Sequence, residues 1–276
     1  MAQVALRSTD APPFGGMLRE WRQHRRLSQL ALALASGISQ RHISFLETGR
    51  ANPSRGMVLA LADALDVPLR ERNALLTSGG FAPGYAEADL NDDQMGLFRE
   101  ALQLALEHHE PYPAIVLDGR WNMVMANQGA LRFFSQFTDP IAGVAAIGAP
   151  ETFQMVRLCL HEAGLKPYIV NWHELVFSFL QRARRALLVN PRDSQMAELI
   201  EEILGHPEAS PEWRRPDLGA PPPAITMRLR KDGRTWSLFT MLAHFGAPQD
   251  ITIEELSVET FYPADAATRE HLLALT

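Results

Sequence analysis

Residues Gln29–Leu46 read QLALALASGISQRHISFL, and the spacing inside this stretch decides how the first part of the chain folds. Two helical runs meet at Gly37. Leu32, Ser36, Ile38, Ile43 and Leu46 fall at inward positions, all apolar except Ser36. Two helices that cross tightly need a small residue at the crossing, which Ala33 supplies, and a turn residue tolerant of the left-handed region, which Gly37 supplies. Any pair of amphipathic helices shares the 3.6-residue period. That alone does not account for Ala33, Gly37, Ile38 and Ile43 all falling where a crossing needs them. The expected element is a helix-turn-helix.

Outward from this stretch the punctuation is regular. Ser28, Ser39 and Ser54 are placed to cap the second, third and fourth helices, and Gly49 and Pro53 mark the loop before the fourth. Met57, Leu61 and Leu65 share one helical face, and Pro68 opens a fifth helix. Residues 14–82 are thus expected to form an all-α, five-helix domain. Residues 1–13 read as a disordered arm. Gly79-Gly80-Phe81-Ala82-Pro83-Gly84-Tyr85 is the boundary, with a connecting segment over 83–111 that is helical from Asp92 to His109. The charge divides at the same place. Phe14 to Ala82 carries nine arginines and no lysine against five carboxylates, a surplus of +4, whereas the chain beyond it carries −10 of the overall −6. Only the first part is suited to meet phosphate.

From residue 112 the pattern changes. Pro113–Asp118 and Arg120–Ala126 are strand-like and joined at Asp118-Gly119, a hairpin signal. Helical patterns follow at Gln128–Phe137, Glu151–Ala163, Asn171–Leu188 and Arg192–Leu204. After the Pro-rich stretch Pro216–Pro223, strands return at Ile225–Arg230, Thr235–Phe245 and Leu256–Tyr262. Two strands, a helical insert and three strands describe an α+β domain over 112–268, an antiparallel sheet with helices on one face. Residues 269–276 read as a tail.

The first domain resembles the Xre/Cro/phage-repressor family. The residues that carry the likeness are Leu18-Arg19, Leu27-Ser28-Gln29, Gly37-Ile38-Ser39-Gln40, Ile43-Ser44, Leu46-Glu47-Thr48-Gly49-Arg50 and Pro53-Ser54. The resemblance implies that the third helix enters the major groove of a double-stranded DNA operator. Ser39, Gln40, Arg41 and Ser44 then stand at or beside the bases, with Phe45 against a thymine methyl. Gln29, Thr48, Arg50, Asn52 and Arg55 are the phosphate candidates. It also implies a buried ion pair between Arg22 and Glu47. Leu30 and Leu34 depart from the family, whose residues there are usually charged; they are either ordinary exposed leucines or a contact with the second domain or a dimer partner.

The remainder resembles the ligand-binding domain of MmyB-like (MltR-type) regulators. The likeness rests on Tyr112–Asp118 running into Trp121-Asn122, on Val170-Asn171-Trp172, on Phe245–Asp250 and on Phe261–Asp265. It implies a PAS-like fold with a cavity between sheet and helices for a fatty-acid-like molecule. Large adaptable side chains suit such a cavity: Trp121, Met123, Met125, Phe133, Phe134, Met155, Leu158, Trp172, Leu175, Phe179, Phe239 and Met241. The same stripes also serve as an ordinary core. Arg157, His161, Asn171, His173 and His244 are the candidates to anchor a carboxylate.

Other chemistries lack support. His173-Glu174-Leu175-Val176-Phe177 has no second histidine at the spacing a zinc helix needs. His108-His109-Glu110 cannot all face one ion, and Cys159 with His161 lacks an orienting partner. No catalytic residue, metal or cofactor is expected beyond a bound fatty acid as effector, although haem on a PAS histidine stays open. The single cysteine fits a reducing compartment, and no apolar run approaches a spanning helix, so a cytoplasmic protein with no membrane partner is expected. The expectation is a bacterial DNA-binding regulator acting as a homodimer with an apolar effector. Two alternatives remain: a regulator whose second domain only dimerises or binds protein, and a lipid carrier or enzyme with a vestigial first domain.

Overall fold

The computed structural model describes residues 13–138, 153–215 and 225–275. The expected arm, apart from Pro13, and the Pro-rich stretch from Pro216 to Pro223 lie outside the described residues. The rest falls into two units, one made largely of residues up to Glu87 and the other largely of residues from Ala88 onward.

In the first unit, helices run over α1 Phe14–His24, α2 Gln29–Ser36, α3 Gln40–Glu47, α4 Arg55–Ala64 and α5 Leu69–Ser78. Ser28, Ser39 and Ser54 each accept a hydrogen bond from a backbone N–H three residues on, which satisfies donors the helix cannot. Gly37 ends α2 at φ 72°, a conformation that costs other residues about 1–2 kcal/mol. Leu18, Trp21, Leu32, Ile43, Leu46, Leu61 and Leu76 form the buried centre. Leu30 and Leu34, on the outer side of α2, are exposed.

The second unit holds helices α6 Gly96–His108, α7 Gln128–Ser135, α8 Met155–Leu160, α9 Trp172–Val189, α10 Ser194–Gly205, α11 Ile251–Glu255 and α12 Ala266–Leu273. Its strands are β1 Ala114–Leu117, β2 Asn122–Ala126, β3 Phe153–Gln154, β4 Met227–Lys231, β5 Arg234–His244 and β6 Ser257–Pro263. They form one antiparallel sheet in the order β3-β2-β1-β6-β5-β4.

Four features differ from the sequence expectation. Of the helix expected over Glu151–Ala163, residues 151 and 152 lie outside the described residues, and the chain at Phe153–Gln154 is not helical: β3 pairs with β2 through Asn122↔Gln154 before α8 begins. The β1–β2 connection is wider than an Asp-Gly turn. Asp118 Oδ1 accepts from the N–H groups of Arg120 and Asn122, and the positive φ falls on Trp121, at 61°. Helices also cover both faces of the sheet. Ile115 and Leu117 point toward α7–α9, while Ala114 and Val116 pack with Leu102 and Leu106 of α6 and Ile253 of α11. An unbroken apolar run such as Ala114–Leu117 is what a strand covered on both sides requires. Finally, the expected tail starts within α12, where Asp265 caps the helix, Thr268 is buried and Leu272 joins the core.

Candidate nucleic-acid interface and ligand cavity

The N-terminal turn of α3 is held from below and open above. Ile43 and Leu46 are fully buried, whereas Ser39, Gln40 and Arg41 are exposed. Ser44 and Phe45 are half-buried, and the Arg41 guanidinium lies 5.3 Å from the centre of the Phe45 ring. Arg50, Asn52 and Arg55 are exposed around the loop that follows. Thr48 is exposed too, but its hydroxyl donates to the Ser44 carbonyl at 2.7 Å. Three of the exposed groups at the surface of α3, the loop after it and the start of α4 are guanidiniums, matched in kind to phosphate and to guanine edges.

Beneath that surface Arg22 grips Glu47 with two hydrogen bonds, Nε to Oε1 at 2.6 Å and Nη2 to Oε2 at 2.9 Å. Arg22 also donates to the Leu27 carbonyl, and Gln29 Nε2 donates to Glu47 Oε2 at 2.9 Å. Gln29 therefore joins α2 to the end of α3. Burial works to raise the Glu47 carboxyl, but the hydrogen bonds from Arg22 and Gln29 outweigh it and hold the group below its ordinary value. The hydrogen bond to Glu47 likewise raises Arg22.

In the second unit a cavity of about 100 Å³ lies between the sheet and helices α8 and α9. Its apolar wall includes Leu117, Trp121, Met155, Leu175, Phe179 and Phe261. Four of the sequence candidates meet there: Trp121, Met155, Leu175 and Phe179. The others are elsewhere. Phe133, Phe134 and Leu158 are buried in the core around it, and Met123 packs against that core. Met125 faces the α6 side, because a register shift between Val116 and Leu117 separates it from Met123. Trp172 donates its indole N–H to the Cys159 carbonyl at 2.9 Å. Phe239 stacks on Tyr262 with centroids 5.3 Å apart, and Met241 is exposed. His244 edges a separate shallow hollow with Ala101, Ala105 and Phe245.

None of the five sequence-read anchors lines the cavity. Arg157 pairs with Glu202 at 2.9 Å, His161 and His173 are exposed, and Asn171 is bound to the backbone of Thr226 and Arg228. The charged groups that do line it are Arg182 of α9 and Glu259 of β6, joined by the hydroxyls of Ser178 and Thr240. The sequence held a signal for both. Arg182 falls at i+7 from Leu175 and i+3 from Phe179 on one face of α9, and Glu259 shares the inward parity of Ser257 and Phe261 on β6. Cys159 also lines the cavity, and burial, aided by the charge of Glu259, pushes its thiol up to about 12. A thiol so raised is not a nucleophile at neutral pH. Among the described residues no group of three or more His, Cys, Asp and Glu is placed to hold a metal ion, and no helix is long and apolar enough to cross a membrane.

The family described as MmyB-like transcription regulator ligand binding domain matches residues 98–275, and a helix-turn-helix family matches residues 18–72. A relative from Bacillus subtilis (strain 168), named as the uncharacterized HTH-type transcriptional regulator RghRB, is 38% identical over 76 residues, which are 27% of this chain and 52% of that protein. The chain thus spans about half the length of that curated relative. The solved restriction-modification controller protein C.AhdI from Aeromonas hydrophila is 42% identical and covers 21% of this chain and 89% of its own, with a TM-score of 0.21.

Proposed function

Because this chain belongs to the MmyB-like transcription regulators, and carries a helix-turn-helix domain ahead of the ligand-binding domain, we propose that it reads a specific double-stranded operator in response to an apolar small molecule of the fatty-acid kind. Residues 14–82 are the DNA-binding domain; the PAS-like ligand-binding domain reaches beyond the expected 112–268 to take in α6, whose Leu102 and Leu106 pack on the sheet, and α12, whose Leu272 joins the core, so the connection is shorter than 83–111. The observation that carries the reading is the first turn of α3: Gln40 and Arg41 stand free at the surface while Ile43 and Leu46 fix the helix from beneath. A glutamine suits the paired donor and acceptor of adenine, and an arginine the two acceptors of guanine. Arg50 and Arg55 supply phosphate contacts that set register without reading sequence. A homodimer places two such helices in major grooves about one DNA turn apart.

The cavity supports the ligand half. At about 100 Å³ it is smaller than the ~150 Å³ hollow that takes benzene, so an alkyl chain enters only as wall side chains move. Met155 and Met227 are unbranched and re-pack readily. Ligand and empty states then differ in packing, which is what a ligand needs in order to shift a conformational equilibrium.

Selection of bound duplexes from a random pool tests the DNA half. The expected product is a pair of half-sites about one turn apart. Arg41→Ala is expected to relax preference at one position, at a cost of about 1–3 kcal/mol there. Arg55→Ala should weaken all sequences alike and reduce the slope of log affinity on log salt by about one. Binding indifferent to sequence in the unaltered protein would overturn the reading. For the ligand half, solvent extraction of the purified chain should yield an alkyl-chain lipid in near-equimolar amount. A chain that yields none and can be loaded with none has a second domain serving only association.

A further inference from the structure

Arg182 and Glu259 are ion-paired inside the cavity without a hydrogen bond between them. Nη1 and Oε1 are 3.6 Å apart, beyond hydrogen-bond range. Among the described residues neither side chain makes a hydrogen bond. The Glu259 side chain is 9% exposed, so a carboxylate sits in a largely apolar hollow with no donor upon it. The Arg182 guanidinium lies 4.8 Å from the centre of the Trp121 ring, which leaves its N–H edge to point elsewhere. The other polar wall groups are the neutral hydroxyls of Ser178 and Thr240 and the neutral thiol of Cys159. The pair is therefore balanced in charge and unfilled in hydrogen bonding.

We propose that Arg182 and Glu259 form a head-group subsite, and that the ligand is an alkyl chain ending in an uncharged group that both donates and accepts a hydrogen bond. A hydroxyl, a primary carboxamide or a protonated carboxylic acid meets this description. Such a head donates to Glu259 and accepts from Arg182, filling both unmade bonds and leaving the hollow neutral. An ionised carboxylate accepts from Arg182 only. It leaves Glu259 without a donor, places two like charges side by side and gives a net negative charge in an apolar wall, each of which opposes binding. An ester accepts without donating and also leaves Glu259 unmet. This inference rests on the cavity being the ligand site. It replaces the general notion of a fatty acid with a rule about its head, under which a fatty acid enters as the neutral acid.

The experiment titrates the full chain with four saturated chains of equal length ending in hydroxyl, primary amide, carboxylate and methyl ester, at mildly alkaline pH, by calorimetry. The alcohol and amide are expected to bind at least about tenfold more tightly than the carboxylate and the ester, the scale of one buried acceptor left unmet. In Glu259→Gln, whose side-chain amide donates, the carboxylate should gain about tenfold on the amide. Equal affinities across the four, or a carboxylate that binds most tightly to the unaltered protein, would overturn the subsite whether or not the variant folds. Failure of all four to bind is a separate result, which removes the ligand reading together with the subsite.

Discussion

At the scale of single residues, the decisive group in the first unit is Glu47. Its side chain is 3% exposed and takes hydrogen bonds from both Arg22 and Gln29. Removing it leaves a guanidinium buried with only the Leu27 carbonyl. Glu47→Ala is therefore expected to cost about 3 kcal/mol in urea denaturation, much of it the penalty of the unpaired charge. Since the folded carboxyl is held below its ordinary value of 4.5, the pair stabilises the fold fully above that value and loses its contribution as pH falls through the lowered one. The gap between wild type and variant should shrink on acidification. A gap that persists unchanged in acid would show that the charge of Glu47 is not what matters. Both partners were legible in the sequence through the family likeness; that Gln29 completes the pair was not, because hydrogen bonding of one amide depends on where the end of α3 arrives.

Among the elements, the approach of α1 to the end of α3 fixes where α3 lies. A Cβ built on Gly15 would lie 2.2 Å from the Leu46 carbonyl oxygen and 2.9 Å from that of Glu47, both backbone atoms that cannot swing aside. The neighbouring Gly16 has only the Pro13 ring, at 3.9 Å. Gly15→Ala is expected to cost roughly 1–3 kcal/mol, whereas Gly16→Ala should be neutral or stabilise by up to about 1 kcal/mol, as alanine in a helix does. Matched urea midpoints for the two variants would remove the close contact from the account. In the second unit, the elements read from period and punctuation came close to those observed, with β3 and α11 missed and α12 lying where a tail was expected. β3 and α11 are short, and a two-residue strand or a single helical turn leaves too few positions for a period to show.

At the scale of the whole molecule, a ligand that binds the folded chain raises its apparent stability by mass action, about 2.7 kcal/mol at a hundredfold excess over Kd. A saturated alcohol should therefore raise the melting temperature. Met155→Trp, which fills the space the Met155 side chain borders, should abolish the rise. A rise that survives the substitution would place the chain outside this cavity. The effect of the same ligand on operator affinity measures how differently it binds the two conformational states.

The sequence by itself determined the five-helix domain, its caps and turn, and the outward set Gln40, Arg41, Arg50 and Arg55, because these depend on neighbours within a few residues. It also determined the mixed α+β character of the second domain. Only the tertiary structure decided which large side chains enclose space. Trp121, Met155, Leu175 and Phe179 share a wall that Met125, Phe239 and Met241 do not, since one register shift and the alternation of strands sort them to opposite faces. It alone brought Arg182 to Glu259, from a helix and a strand distant in the chain, and so placed charge where local pattern showed only one more arginine on a helix and one more glutamate on a strand.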